Sequence, residues 1–131
     1  MATYSDEILR LAEITPIAIP PGAERVELAN QLCGDRVAVS LAMHDGVIAW
    51  VGWESEGCAI LRASAAYLSR TLNGKSLREA TEAAEQFQLS FEQDNAFRTG
   101  PLAPVYKLPA RFKCALLPWQ AFENLLRKTE R

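Results

Sequence analysis

Histidine is almost absent from this sequence: His44 is the only one in 131 residues. It precedes Asp45-Gly46, reads as a solvated turn residue, and excludes most histidine-based catalysis. Net charge is equally scarce. Lys and Arg total 14 against 16 Asp and Glu, with the two signs mixed along the chain. That balance fits neither a basic nucleic-acid footprint nor an acidic disordered composition. No apolar run approaches the ~20 residues of a membrane span, and the opening MATYSDE has neither the basic nor the apolar region of a leader. The expectation is a soluble, cytoplasmic protein with no nucleic-acid or membrane partner. A Gly-rich phosphate loop, a G-x-S-x-G elbow, an H-E-x-x-H helix and internal repeats are all missing. Cysteines number only three, Cys33, Cys58 and Cys114. An odd count in a reducing compartment argues against a disulfide framework and leaves metal binding, thiol chemistry or inert burial.

What is present suits one domain over residues 1–131, since 49% hydrophobic content supplies a core without help from metal or disulfide. Ser5 before the acidic turn Asp6-Glu7, with Ile8, Leu11 and Ala12 on one face, predicts a short capped helix that TPIAIPPG ends. VELANQL, RVAVSLA and VIAWVGW then read as three antiparallel strands, the last two joined by a hairpin turn at Asp45-Gly46. From Cys58 the period becomes helical, and the small residues of CAILRASAAYLSRTL predict close packing on the sheet until Asn73-Gly74 stops the helix. Ser76 and Glu79 form a capping box for a further helix whose apolar face runs Leu77, Ala80, Ala83, Ala84 and Phe87. SFEQDNAFRTGPLAPVYKLP has no clear period and is expected to be irregular, with room for a short turn of helix. A final helix begins near Ala110, with Leu116, Trp119, Phe122 and Leu126 facing inward. The fold class is α+β, a three-stranded antiparallel sheet packed with helices.

Each cysteine falls at an element boundary. Cys33 lies in the turn CGD between the first two strands, Cys58 opens a helix, and Cys114 lies in the early turns of the last one. Such ends gather unpaired N–H groups and favour thiolate; Arg111 and Lys113 add positive charge beside Cys114 and are expected to lower its pKa. The spacing matches no compact zinc-finger pattern, and Asp35 alone reads as a turn carboxylate. Pro118 stands four residues after Cys114. In a continuous helix it would lack the N–H for the Cys114 carbonyl, so the helix is expected to bend or break there, or to start at Pro118 itself.

The local contexts of the cysteines carry more than their spacing. NQLCGD around Cys33, EGCAILRASAAYLSRTLNGKSLREA from Glu56 to Ala80, and ARFKCALLPW around Cys114 resemble the three cysteine motifs of the NifU-like iron-sulfur cluster scaffold family. The likeness runs from about Arg25 to Leu126 and is nearer to the SufU branch than to IscU. Lys113 stands where the IscU type has histidine, and Arg111 matches the arginine of the SufU motif. The resemblance implies ligands Cys33, Asp35, Cys58 and Cys114, converging on a transient iron-sulfur cluster or on Zn2+, with Arg111 and Lys113 in support. It implies a cysteine desulfurase as sulfur donor and apo iron-sulfur proteins as acceptors.

The chaperone motif L-P-P-V-K of the IscU type is here Leu108-Pro109-Ala110-Arg111, so an Hsp70 partner is not implied. Gln31 stands where the family has proline, and the D-H-Y and N-P-R-N elements are missing. The first reading is a non-enzymatic scaffold or carrier for cluster assembly. The alternatives are a zinc-dependent sulfurtransferase, with Cys114 as candidate sulfur acceptor, and an adaptor paralogue that keeps zinc only for stability.

Overall fold

The computed structural model describes residues 5–31, 34–92 and 96–129. Helix α1, Asp6–Ala12, starts as its sequence requires, with the Ser5 hydroxyl accepting the Ile8 N–H at 3.2 Å. Strands β1 (Val26–Asn30), β2 (Asp35–His44) and β3 (Val47–Glu56) form one antiparallel sheet in that order. Asp45 and Gly46 both take positive φ, 52° and 82°, the geometry a two-residue hairpin demands. Val37, Val39, Ile48, Val51 and Trp53 are buried in the core shared with the helices.

The sheet's other face carries a patch of small residues. Ser40 and Gly52 are buried there against the segment that links α1 to β1, and Ala38 is buried between Glu27 and Glu54 of the flanking strands. The Ile17 carbonyl accepts the Trp53 N–H at 3.0 Å, and the Ser40 hydroxyl donates to the Glu24 carbonyl at 2.7 Å. A Cβ at Gly52 would stand 3.0 Å from the Ile17 oxygen and 3.2 Å from that of Ala18. That face is thus packed at Ser40 and Gly52 and open to water where Arg36, Glu54 and Glu56 are exposed.

Helix α2, Ala59–Leu72, is the central element, with Ile60, Leu61, Ala63, Ser64, Ala65, Ala66, Leu68, Ser69 and Leu72 all buried. Its alanines and serines let β3, α1 and the last helix approach on several sides. Helix α3, Leu77–Glu92, has the reciprocal capping box, with Ser76 and Glu79 exchanging bonds of 3.0 and 3.1 Å. It continues past the expected end because Phe91, one turn beyond Phe87, extends the apolar face and meets that ring edge-on at 5.5 Å. Much of the stretch expected to be irregular is also ordered, as a 3-10 segment, Ala96–Lys107, interrupted at Gly100.

A 3-10 turn, Pro109–Arg111, leads into α4, Phe112–Thr129. The expectation of a break or a fresh start at Pro118 is not met: helical geometry runs through it. Proline costs a helix interior about 3 kcal/mol, whereas each fully buried large side chain contributes about 1.5–3 kcal/mol. Leu117, Trp119, Phe122, Leu125 and Leu126 are all buried on this helix, and Trp119 stacks on Phe87 at 4.2 Å and 11°. Several such residues outweigh one proline. Leu116, expected inward, is half-buried and Leu117 takes the buried place.

Candidate functional site

Three separate elements deliver one polar cluster. Asp35 is the first residue of β2, Cys58 is the N-cap of α2, and Cys114 is the third residue of α4. One ligand atom from each lies within 4.8 Å of the others. Asp35 and Cys114 are buried, each 2% exposed, while Cys58 is half-buried, so the cluster opens to solvent on the Cys58 side. The Cys58 N–H points at Asp35 Oδ1 at 3.4 Å, and its Sγ lies 4.0 Å from Oδ2. The vacant first turn of α2 is thereby capped by a carboxylate from another element, not by its own N-cap side chain.

Gly57 makes that approach possible. Its φ is 152°, and a Cβ there would fall on Asp35 Oδ1 and stand 2.8 Å from Leu61 Cδ2. Cys33 lies outside the described residues. Arg111, in the 3-10 turn before α4, and Lys113, in the first turn of α4, are exposed.

The expected low pKa of Cys114 is not found. Burial pushes the thiol well up, and hydrogen bonding to Asp35 and Cys58 and their negative charge push it the same way. The two exposed cations nearby in sequence do not offset removal from solvent. The Cys114 proton therefore stays while the site holds only protein groups. That preference for protons is also what a cation displaces, since thiolates and a carboxylate packed together need a positive charge among them.

The donor chemistry fits the groups implied. Thiolates at ~2.3 Å from a tetrahedral ion stand about 3.8 Å apart, so these atoms need close by about 1 Å at most. Two sulfurs with one oxygen suit zinc, and sulfurs dominate iron-sulfur ligation. His44 takes no part. It closes β2, which Asp35 opens, nine residues and about 30 Å away, and its exposed ring faces Asp45 at 3.2 Å.

Sequence reasoning missed two features beside the cluster. Gly57 was visible only as the neighbour of Cys58, because the oxygen it makes room for comes from 22 residues earlier. Ser64 read as one small residue among many, yet its hydroxyl donates to the Ala115 carbonyl at 2.5 Å and accepts the Trp119 Nε1–H at 3.1 Å.

Known proteins resemble this chain in sequence and in fold. Residues 17–93 match the NifU-like N terminal domain. The zinc-dependent sulfurtransferase SufU of Bacillus subtilis (strain 168) is 32% identical over 111 residues, covering 80% of this chain and 76% of that protein. The iron-sulfur cluster assembly scaffold protein IscU of Streptococcus pyogenes serotype M1 is 30% identical over 114 residues, 82% of this chain and 72% of that one. Among solved structures, a protein of Fervidobacterium islandicum AW-1 described as an iron-sulfur cluster assembly scaffold for the SUF system superposes with a TM-score of 0.82. It is 29% identical and covers 95% of this chain and 96% of that one. The N-terminal NifU-like protein of Brucella abortus gives 0.79 at 25% identity, covering 96% and 93%. This chain belongs to the NifU-like N-terminal domain family.

Proposed function

We propose that this member of the NifU-like N-terminal domain family is a scaffold or carrier for iron-sulfur cluster assembly. It would take sulfur from a cysteine desulfurase, hold a transient cluster on Cys33, Cys58, Cys114 and Asp35, and release it to apo acceptor proteins. The observation that carries this reading is the meeting of Asp35, Cys58 and Cys114, from three elements, within 4.8 Å. The oxygen donor suits release as well as capture, because a carboxylate is the weaker and more exchangeable ligand for a soft-metal cargo. Half-buried Cys58 gives the cargo its way in and out.

A second reading, the zinc-dependent sulfurtransferase, has its own support in the name borne by the Bacillus subtilis relative and in a donor set that suits closed zinc coordination. Here a thiolate attacks the outer sulfur of the partner's persulfide, the partner's sulfur–sulfur bond breaks, and the partner leaves as thiolate. Cys114 is the acceptor candidate by motif position. Since burial holds its proton, it would act only after a bound cation or a partner group has drawn that proton away. Zinc, if resident, supplies the positive charge that keeps the ligand thiols ionised.

Protein purified without oxygen separates the readings. Iron and acid-labile sulfide in equal amounts, transferable to an apo acceptor, are expected for the scaffold. One zinc per chain without sulfide, together with a desulfurase-dependent persulfide, would instead establish the sulfurtransferase. A chain that takes up neither metal nor sulfur would sink both.

A further inference from the structure

We infer that Ser64 is a positioning residue for the candidate site, setting where Cys114 stands relative to Cys58. The inference rests on the proposed metal or cluster reading of that site. Cys58 begins α2 and Ser64 lies six residues along it, about 9 Å further by helical rise. Ser64 is fully buried against α4, where its hydroxyl makes two bonds: it donates to the carbonyl of Ala115, the residue after Cys114, and accepts from the indole of Trp119. An alanine would pack as well in this helix, whose residues Ala63, Ala65 and Ala66 are buried on either side. A buried hydroxyl costs free energy unless bonded, so its use here is directional rather than volumetric.

The direction matters because of Pro118. With no N–H on Pro118, the rung that would tie the Cys114 carbonyl into α4 is missing. The helix is one bond short at the ligand, and the next carbonyl, that of Ala115, is the one that α2 holds. A carbonyl has two lone pairs, so Ala115 can keep its helical bond and still accept from Ser64. The indole bond from Trp119, one turn further on, adds a second tie between the same helices. Sliding or rotation of α4 past α2 at Cys114 therefore strains two buried hydrogen bonds, and the separation of the two thiols follows the clamp.

Cobalt(II) uptake by the purified full chain tests this, because its visible bands report ligand geometry independently of any sulfur transfer. Ser69→Ala is the control: Ser69 is also a buried serine of α2, but its hydroxyl bonds the Val51 carbonyl of the sheet at 2.7 Å. Ser64→Ala should bind cobalt about ten-fold more weakly, with shifted and broadened bands, the loss expected when a group orienting a ligand is removed. Ser69→Ala should lose stability but keep the wild-type affinity and spectrum. Wild-type affinity and bands in Ser64→Ala, or equal changes in both variants, would overturn the inference. Should Ser64→Ala not fold, Trp119→Phe removes one bond of the clamp and keeps a ring against Phe87. Shifted cobalt bands in it support the clamp, and wild-type bands overturn it. Absence of cobalt uptake by the unsubstituted chain would instead remove the metal-site reading, and this inference with it.

Discussion

Asp35 serves two purposes with one carboxylate. Oδ1 faces the N–H that begins α2, and the group as a whole borders both thiols, adding to the burial that raises the Cys114 pKa. As a ligand it is the hard member of a soft set, so Asp35→Ala should lengthen the lifetime of a reconstituted cluster and slow its transfer to an apo acceptor. Absorbance decay of the loaded variant measures both. Faster decay would mean that the carboxylate anchors the cargo, or that the lost Cys58 cap displaces that thiol. At this scale the sequence was informative where chemistry is rare. Three cysteines and one aspartate stand in recognisable contexts, and the structure brings together Asp35, Cys58 and Cys114, with Cys33 outside the described residues. It was silent on Gly57 and Ser64, whose roles depend on atoms 22 and 51 residues away. It also misjudged the ionisation of Cys114, because neighbours in sequence are visible and burial is not.

Elements with local signals matched their expectations: the Ser5 cap, the Asp45-Gly46 hairpin, and the Ser76 and Glu79 box all concern contacts within four residues. Expectations failed where tertiary packing overruled a local rule. Phe91 carried α3 onward, and the buried face around Trp119 carried α4 through Pro118. No periodicity could announce that the segment after α1 would pack on the sheet, although the small residues Ser40 and Gly52 are its imprint. Since Pro118 sits inside a continuous helix, Pro118→Ala should stabilise the chain. Recovering helix propensity contributes about 3 kcal/mol, and losing two buried ring methylenes costs about 1.6 kcal/mol, leaving roughly 1 kcal/mol in favour. Denaturant unfolding would record a later midpoint at unchanged slope. An earlier midpoint would show that the ring's packing, not the missing N–H, dominates at this position.

At the scale of the molecule, the site lies where the starts of β2, α2 and α4 meet, and those elements share one hydrophobic core that also includes residues of α1, β1, β3 and α3. Among the described residues no helix is long and apolar enough to cross a membrane. Element types were legible in the sequence, but their meeting point was not, since it depends on chain paths between residues 35, 58 and 114. It entered the reading only through the resemblance. The shared core leads us to expect the whole chain to unfold as one domain, in a single cooperative transition. Because the three ligand-bearing elements belong to that core, a metal bound at the cluster should stabilise every part of it together. At a free zinc concentration of 100 times Kd the stabilisation is about 2.7 kcal/mol, which in a chain of this size raises Tm by roughly 10 °C. Calorimetry with zinc and with chelator would read the difference directly. Cys114→Ser should lose most of the zinc-dependent shift while keeping one transition. A second transition in the metal-free chain would instead show that part of the fold is independent, and that the cation joins it to the rest rather than tightening a single unit.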